Sequence, residues 1–101
     1  MKSRRNENTD KLFKAVLSLK NEDECYAFFE DLCTIKELIA MAQRYEAATL
    51  LDSGMNYQEI YNRTGISSAT ISRVNNCLVY GSGGYRLAID RCRTDGEEIG
   101  N

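Results

Sequence analysis

The sequence predicts an all-α domain of about six helices containing a helix-turn-helix. Three observations carry that expectation. Apolar residues recur at intervals of three and four along the chain and nowhere form an alternating strand pattern. Asn21, Thr34 and Asn56 are each followed three residues later by glutamate, the spacing of a capping box at a helix start. A short turn containing Gly65 joins two helical segments, and the chain has no proline.

The elements follow in order. Leu12, Phe13, Val16, Leu17 and Leu19 predict a first helix over about residues 9–19. Asn21 opens a second, on which Cys25, Phe28, Phe29 and Leu32 form a stripe expected to be buried. Thr34 starts a long third helix to about Asp52, with Gly54 placed to end it. Its apolar residues, among them Ile35, Leu38, Ile39, Met41, Tyr45, Ala47, Ala48 and Leu51, occupy more than one face. A chain of 101 residues has few elements to cover such a helix, so a second copy is the expected cover and a two-fold homodimer the expected assembly.

Asn56 caps a short helix to about Thr64, Gly65-Ile66 turns the chain, and Ser67 caps another helix to about Val79. The helix-turn-helix is therefore expected over about 56–79. Ile71, Val74 and Leu78 point inward by spacing, leaving Ser68, Ala69, Ser72, Arg73 and Asn76 on the outer face. Small and hydroxylic residues let a helix start approach base edges, and an arginine can reach a phosphate or a guanine. Tyr85, Ala88, Ile89 and Cys92 predict a short last helix packed on the core or the partner.

Composition narrows the chemistry. With no histidine the commonest general base and metal ligand is absent. The four cysteines form no Cys-x-x-Cys pair; Cys25, Cys77 and Cys92 sit among apolar residues as expected small core hydrophobes. No metal site, disulfide scaffold, cofactor or enzymatic activity is expected. The acidic cluster around Glu22–Glu24 and Asp31 reads as helix capping and solvation, and Gly81–Gly84 lacks the lysine of a phosphate loop. The longest apolar run, Leu38–Ala42, is five residues, and no secretory segment follows the basic start, so a cytoplasmic protein without membrane contact is expected.

The net charge of −2 is unevenly spread. Residues 1–14 carry +3 and residues 55–80 carry +1, while residues 20–31 carry −4 and 94–101 carry −3. A bound polyanion could avoid the acidic segments. Residues 1–8 are expected to form a flexible basic arm, 9–92 the folded domain and 93–101 an acidic disordered tail.

Gly65-Ile66-Ser67-Ser68-Ala69-Thr70-Ile71-Ser72-Arg73, with Asn76 and Leu78, resembles the recognition segment of the tryptophan repressor family. Tyr26-x-Phe28-Phe29-x-Asp31-Leu32-Cys33-Thr34, Ala42-Gln43-Arg44 and Tyr80-Gly81 resemble its small YerC/YecD branch. The likeness spans about residues 9–92. It implies an intertwined helical homodimer that presents two helix-turn-helix units to double-stranded DNA as a transcriptional repressor. Carried over position by position, it places Gln58, Ser67, Ser68, Ala69, Thr70, Ser72, Arg73 and Asn76 at the DNA. It also implies a small-molecule site for a co-repressor at Gln43, Arg44 and Arg73. There the chain departs from the family: Gln43 stands where an arginine would hold the tryptophan carboxylate, and Arg44 is one step round the helix. Gln58 and Tyr61 likewise replace basic positions. Fewer ionic contacts to DNA are expected, and tryptophan as co-repressor is not. The alternative left open is a dimeric helical protein–protein adaptor.

Overall fold

The computed structural model describes residues 5–93. The basic residues Lys2 and Arg4 and the acidic segment from Thr94 lie outside the described residues. Six helices run along the chain: α1 Glu7–Leu17, α2 Glu22–Leu32, α3 Ile35–Asp52, α4 Tyr57–Thr64, α5 Ser68–Tyr80 and α6 Gly84–Cys92. No strand occurs among the described residues. The chain divides into two compact units, 1–38 and 39–101, with the boundary inside α3.

In the first unit the helix starts are set by side-chain caps. The Asn6 carboxamide oxygen accepts the Thr9 N–H at 2.8 Å, which starts α1 two residues before the apolar pattern does. Asn21 accepts from the Glu24 N–H at 2.9 Å, while the Glu24 carboxylate reaches back one residue further than expected, to the Lys20 N–H at 2.8 Å. Thr34 and Glu37 close a reciprocal box at 3.1 and 2.8 Å.

The expected burial of this unit is corrected by the structure. No residue of α1 or α2 is buried. Phe28 and Phe29 are half-buried and meet edge to face at 5.4 Å, but Cys25 is exposed and Leu32 is 50% exposed. Leu17, at 83%, and Ile35, at 78%, are more open still. Helical periodicity identifies an apolar face without specifying what covers it, and a single chain leaves this one uncovered.

The second unit has the core. Ala47 and Ala48 of α3, Ile60 of α4, Ile66 of the turn, Ile71 and Val74 of α5 and Ile89 of α6 are buried together. Tyr45, Leu50, Leu51, Met55, Leu78 and Tyr85 pack around them. Alanines at 47 and 48 let neighbouring helices approach the α3 backbone closely, so the apolar surface of α3 is covered in its second half. Cys77 of α5 and Cys92 of α6, expected as core hydrophobes, are exposed in the single chain, as is Ala88 of α6. Helical spacing places Cys77 and Ala88 beside the inward residues, whereas Cys92 shares the face of Tyr85 and Ile89 and lies at the last residue of α6. The Tyr45 phenol is pushed above its ordinary pKa, first by burial and then by the neighbouring Cys92 thiol.

Asp52, the last residue of α3, binds α6. Its Oδ1 accepts from Arg86 Nη2 and its Oδ2 from Arg93 Nη2, both at 2.5 Å. Arg86 also donates to Asp90 at 3.1 Å. Hydrogen bonds from Arg86 and then Arg93 hold the Asp52 carboxyl below the usual carboxylate pKa.

Candidate nucleic-acid interface

The helix-turn-helix is built by local hydrogen bonds and one shared core. Asn56 and Glu59 form the expected capping box, with Asn56 accepting from the Glu59 N–H at 2.9 Å and Glu59 accepting from the Asn56 N–H at 2.8 Å. Ile60 anchors α4 in the core. Thr64 donates its hydroxyl proton to the Ile60 carbonyl at 2.7 Å and accepts the Ile66 N–H at 3.0 Å, tying the end of α4 to the turn. Gly65 sits at φ +80°, a left-handed conformation that glycine adopts without a Cβ penalty. Nothing crowds the position where its Cβ would be, so handedness alone calls for glycine here. Ile66 then turns back into the core.

Ser67 opens α5 by accepting the Thr70 N–H at 3.2 Å, and its hydroxyl donates to the Thr70 hydroxyl at 3.1 Å. Ile71 and Val74 bury the inner face, and Leu78 packs partly against the same cluster. Opposite them, Ser68, Ala69, Ser72, Arg73 and Asn76 are all exposed. Among the described residues no ion pair holds the Arg73 guanidinium. Gly81 ends the helix where the backbone folds against itself: a Cβ there would run into the Cys77 carbonyl oxygen.

The eight residues singled out at the DNA thus fall into three groups. Ser68, Ala69, Ser72, Arg73 and Asn76 form one open face of α5. Ser67 and the half-buried Thr70 bond each other and cap the helix, so their hydroxyls are already engaged. Gln58, on α4, donates to Asn62 at 3.0 Å one turn along and stays exposed. A shallow cleft of about 380 Å³ joins α4 to the start of α5, lined by Tyr57, Gln58, Tyr61, Ser67 and Ser68. Sequence reasoning missed Tyr57. The signal was its position directly after the Asn56 cap, one residue before Gln58 on the same first turn.

The three residues considered for an effector are not joined by any hydrogen bond or ion pair among the described residues. Gln43 is exposed and Arg44 half-buried on α3, and Arg73 is exposed on α5. No group of histidine, cysteine or carboxylate side chains suited to a metal ion occurs among the described residues. No described helix is long and apolar enough to cross a membrane.

Known proteins share both sequence and fold with this chain. It is 51% identical over 89 residues to the uncharacterized protein YerC of Bacillus subtilis strain 168, covering 88% of this chain and 86% of that one. The crystal structure of a TrpR-like protein from Eubacterium eligens superposes with a TM-score of 0.87 at 44% identity, covering 91% of this chain and 95% of the other. That of a candidate Trp repressor from Staphylococcus aureus also gives 0.87, at 40% identity, with 91% and 94% covered. The Trp repressor protein family matches residues 7–93, which is almost the whole described chain. With its six helices and its helix-turn-helix, the chain belongs to the Trp repressor family.

Proposed function

We propose that the protein is a homodimeric transcriptional regulator, a repressor that binds a palindromic operator in double-stranded DNA through α5. The observation that carries this reading is the division of α5: Ile71 and Val74 are locked in the core while Ser68, Ala69, Ser72, Arg73 and Asn76 stand free. A helix anchored on one side and open on the other can enter a major groove without rearrangement. Membership of a family of DNA-binding regulators supports it independently. Arg73 is assigned to a guanine edge or phosphate, Ser68, Ser72 and Asn76 to base edges directly or through water, and Ala69 to close approach or a thymine methyl. Gln58 and the capped start of α5 at Ser67 and Thr70 face the backbone phosphates. The dimer is assigned to the open apolar faces of α1, α2 and the start of α3, and the site of action to the cytoplasm.

Neither catalysis nor a cofactor enters this reading, and tryptophan does not serve as its co-repressor. Gln43 provides no charge for a carboxylate, and Arg44 points about 100° away around the helix. The low charge of the motif, +1 over residues 55–80, favours the second reading, a dimeric protein adaptor.

Selection from a random duplex pool, followed by anisotropy across a salt series, decides between them. The regulator recovers a palindrome with half-sites roughly 34 Å apart and loses affinity steeply as salt rises. An adaptor enriches no sequence and responds weakly to salt.

A further inference from the structure

One carboxylate closes both ends of the helix-turn-helix. The chain enters the motif just after Asp52, at the end of α3, and leaves it into α6, which carries Arg86 and is followed at its C-cap by Arg93. Asp52 grips these two arginines with separate oxygens, at 2.5 Å each.

Two features distinguish this cluster from an ordinary surface ion pair. The Asp52 side chain is 13% exposed, while those of Arg86 and Arg93 are 45% and 50% exposed, so the carboxylate is largely withdrawn from water and both its oxygens are occupied. Asp52 and Arg86 also stand against their own helix dipoles: a carboxylate ends α3, and a guanidinium sits in the first turn of α6. Helix electrostatics favours the opposite sign at each place. Their pairing across 34 residues of sequence therefore serves the tertiary arrangement, not the helices that carry them.

The geometry points to Asp52 as a positioning residue for DNA reading: its grip on Arg86 and Arg93 holds α6 at the end of α3 and thereby fixes the seat of the recognition helix. The link to α5 is physical. Ile89 of α6 is buried in the same cluster as Ile71 and Val74, so displacement of α6 removes part of the surface on which α5 rests. This inference rests on the assignment of α5 to DNA.

The test uses the full chain carrying Asp52→Asn. Hydrogen exchange without DNA reads the grip itself: protection falls roughly five- to tenfold in α6 and the adjoining ends of α4 and α5, and stays unchanged in α2. Affinity for the selected operator falls by a similar factor, while affinity for a random duplex holds or rises. The sign is diagnostic. Removing a carboxylate weakens repulsion from phosphate, so an effect through charge alone tightens binding to both duplexes. Arg86→Gln lowers operator affinity without changing the salt slope; a slope smaller by about one would make Arg86 a phosphate contact instead. The double variant costs little more than the larger single effect. Arg86→Gln leaves the Asp52–Arg93 pair in place and supplies the same exchange and affinity readings should Asp52→Asn fail to fold. Unchanged exchange overturns the grip, whatever the DNA result. Loosened exchange with undiminished operator affinity overturns its role in reading. A wild-type chain that selects no sequence overturns the operator assignment and its positioning role together, while exchange still decides the grip.

Discussion

Residues 5–38 and 39–93 both leave large apolar side chains exposed, but only the second stretch also encloses a core. Residues 39–93 bury Ile60, Ile66, Ile71, Val74 and Ile89 in a core seated on Ala47 and Ala48. Residues 5–38 contain Phe13, Leu17, Tyr26, Leu32 and Ile35, all substantially exposed. The first unit is secured locally, by caps at Asn6, Asn21 and Thr34; the second is secured by contacts between helices. Capping makes a helix, but only burial fixes where its apolar face goes. The helix assigned to DNA is thus carried by the part of the chain that encloses its own core, and the proposed contact with a second copy falls on the part that encloses none.

The contrast can be broken most directly at Ile71. Ile71→Ala removes a fully buried side chain and is expected to cost about 2–5 kcal/mol of stability in urea melts, by the same amount at every protein concentration. Leu17→Ala should behave differently. Its side chain is exposed within one chain, so its loss, about 1–2 kcal/mol, should fall on association and be read as a sedimentation midpoint shifted to higher concentration. A wild-type melt independent of concentration would remove the distinction between the units. Arg73→Ala sharpens it from the other side: about 1–3 kcal/mol of operator binding is lost with stability unchanged, because the side chain contributes nothing to the core. A destabilised Arg73→Ala would place that residue in the scaffold.

The smallest effect concerns pH. Asp52 has its pKa lowered in the folded chain, so its contribution is fully present above the unfolded value of ~3.9 and is lost as pH falls through the lower folded value. Wild type and Asp52→Asn should therefore differ in urea midpoint at neutral pH and converge in acid. A gap that persists at the acid end would mean that Asp52 acts through packing, not charge.

Local features were readable from the sequence because their causes are local. The boxes at Thr34 and Asn56, the turn at Gly65 and the cap at Ser67 each depend on residues within a few positions of one another. The inward and outward faces of α5 were readable for the same reason. Periodicity failed at Cys25 and Leu32, where a helical stripe marks an apolar face but no neighbour is specified to cover it. It failed again at Cys77 and Cys92, which are exposed in the single chain although their apolar neighbours marked them as core hydrophobes. The Asp52–Arg86–Arg93 cluster was invisible for a stronger reason. Its members are 34 and 41 residues apart, and two of them contradict the helix-end preferences by which charges are ordinarily read.

Gly65 and Gly81 have a consequence for how such proteins diversify. One is required by the handedness of the turn and the other by the closeness of a carbonyl, and together they bracket the thirteen residues of α5. An insertion or deletion between them would rotate the outer side chains into the core, whereas exchanges at 68, 69, 72, 73 and 76 disturb no internal partner. Under the proposed assignment of α5 to DNA, lineages can drift to new target sites by rewriting five letters in a line of fixed length. Descendants with different regulons are expected to keep both glycines and Ile71, and to differ first at Ser68 and Ala69.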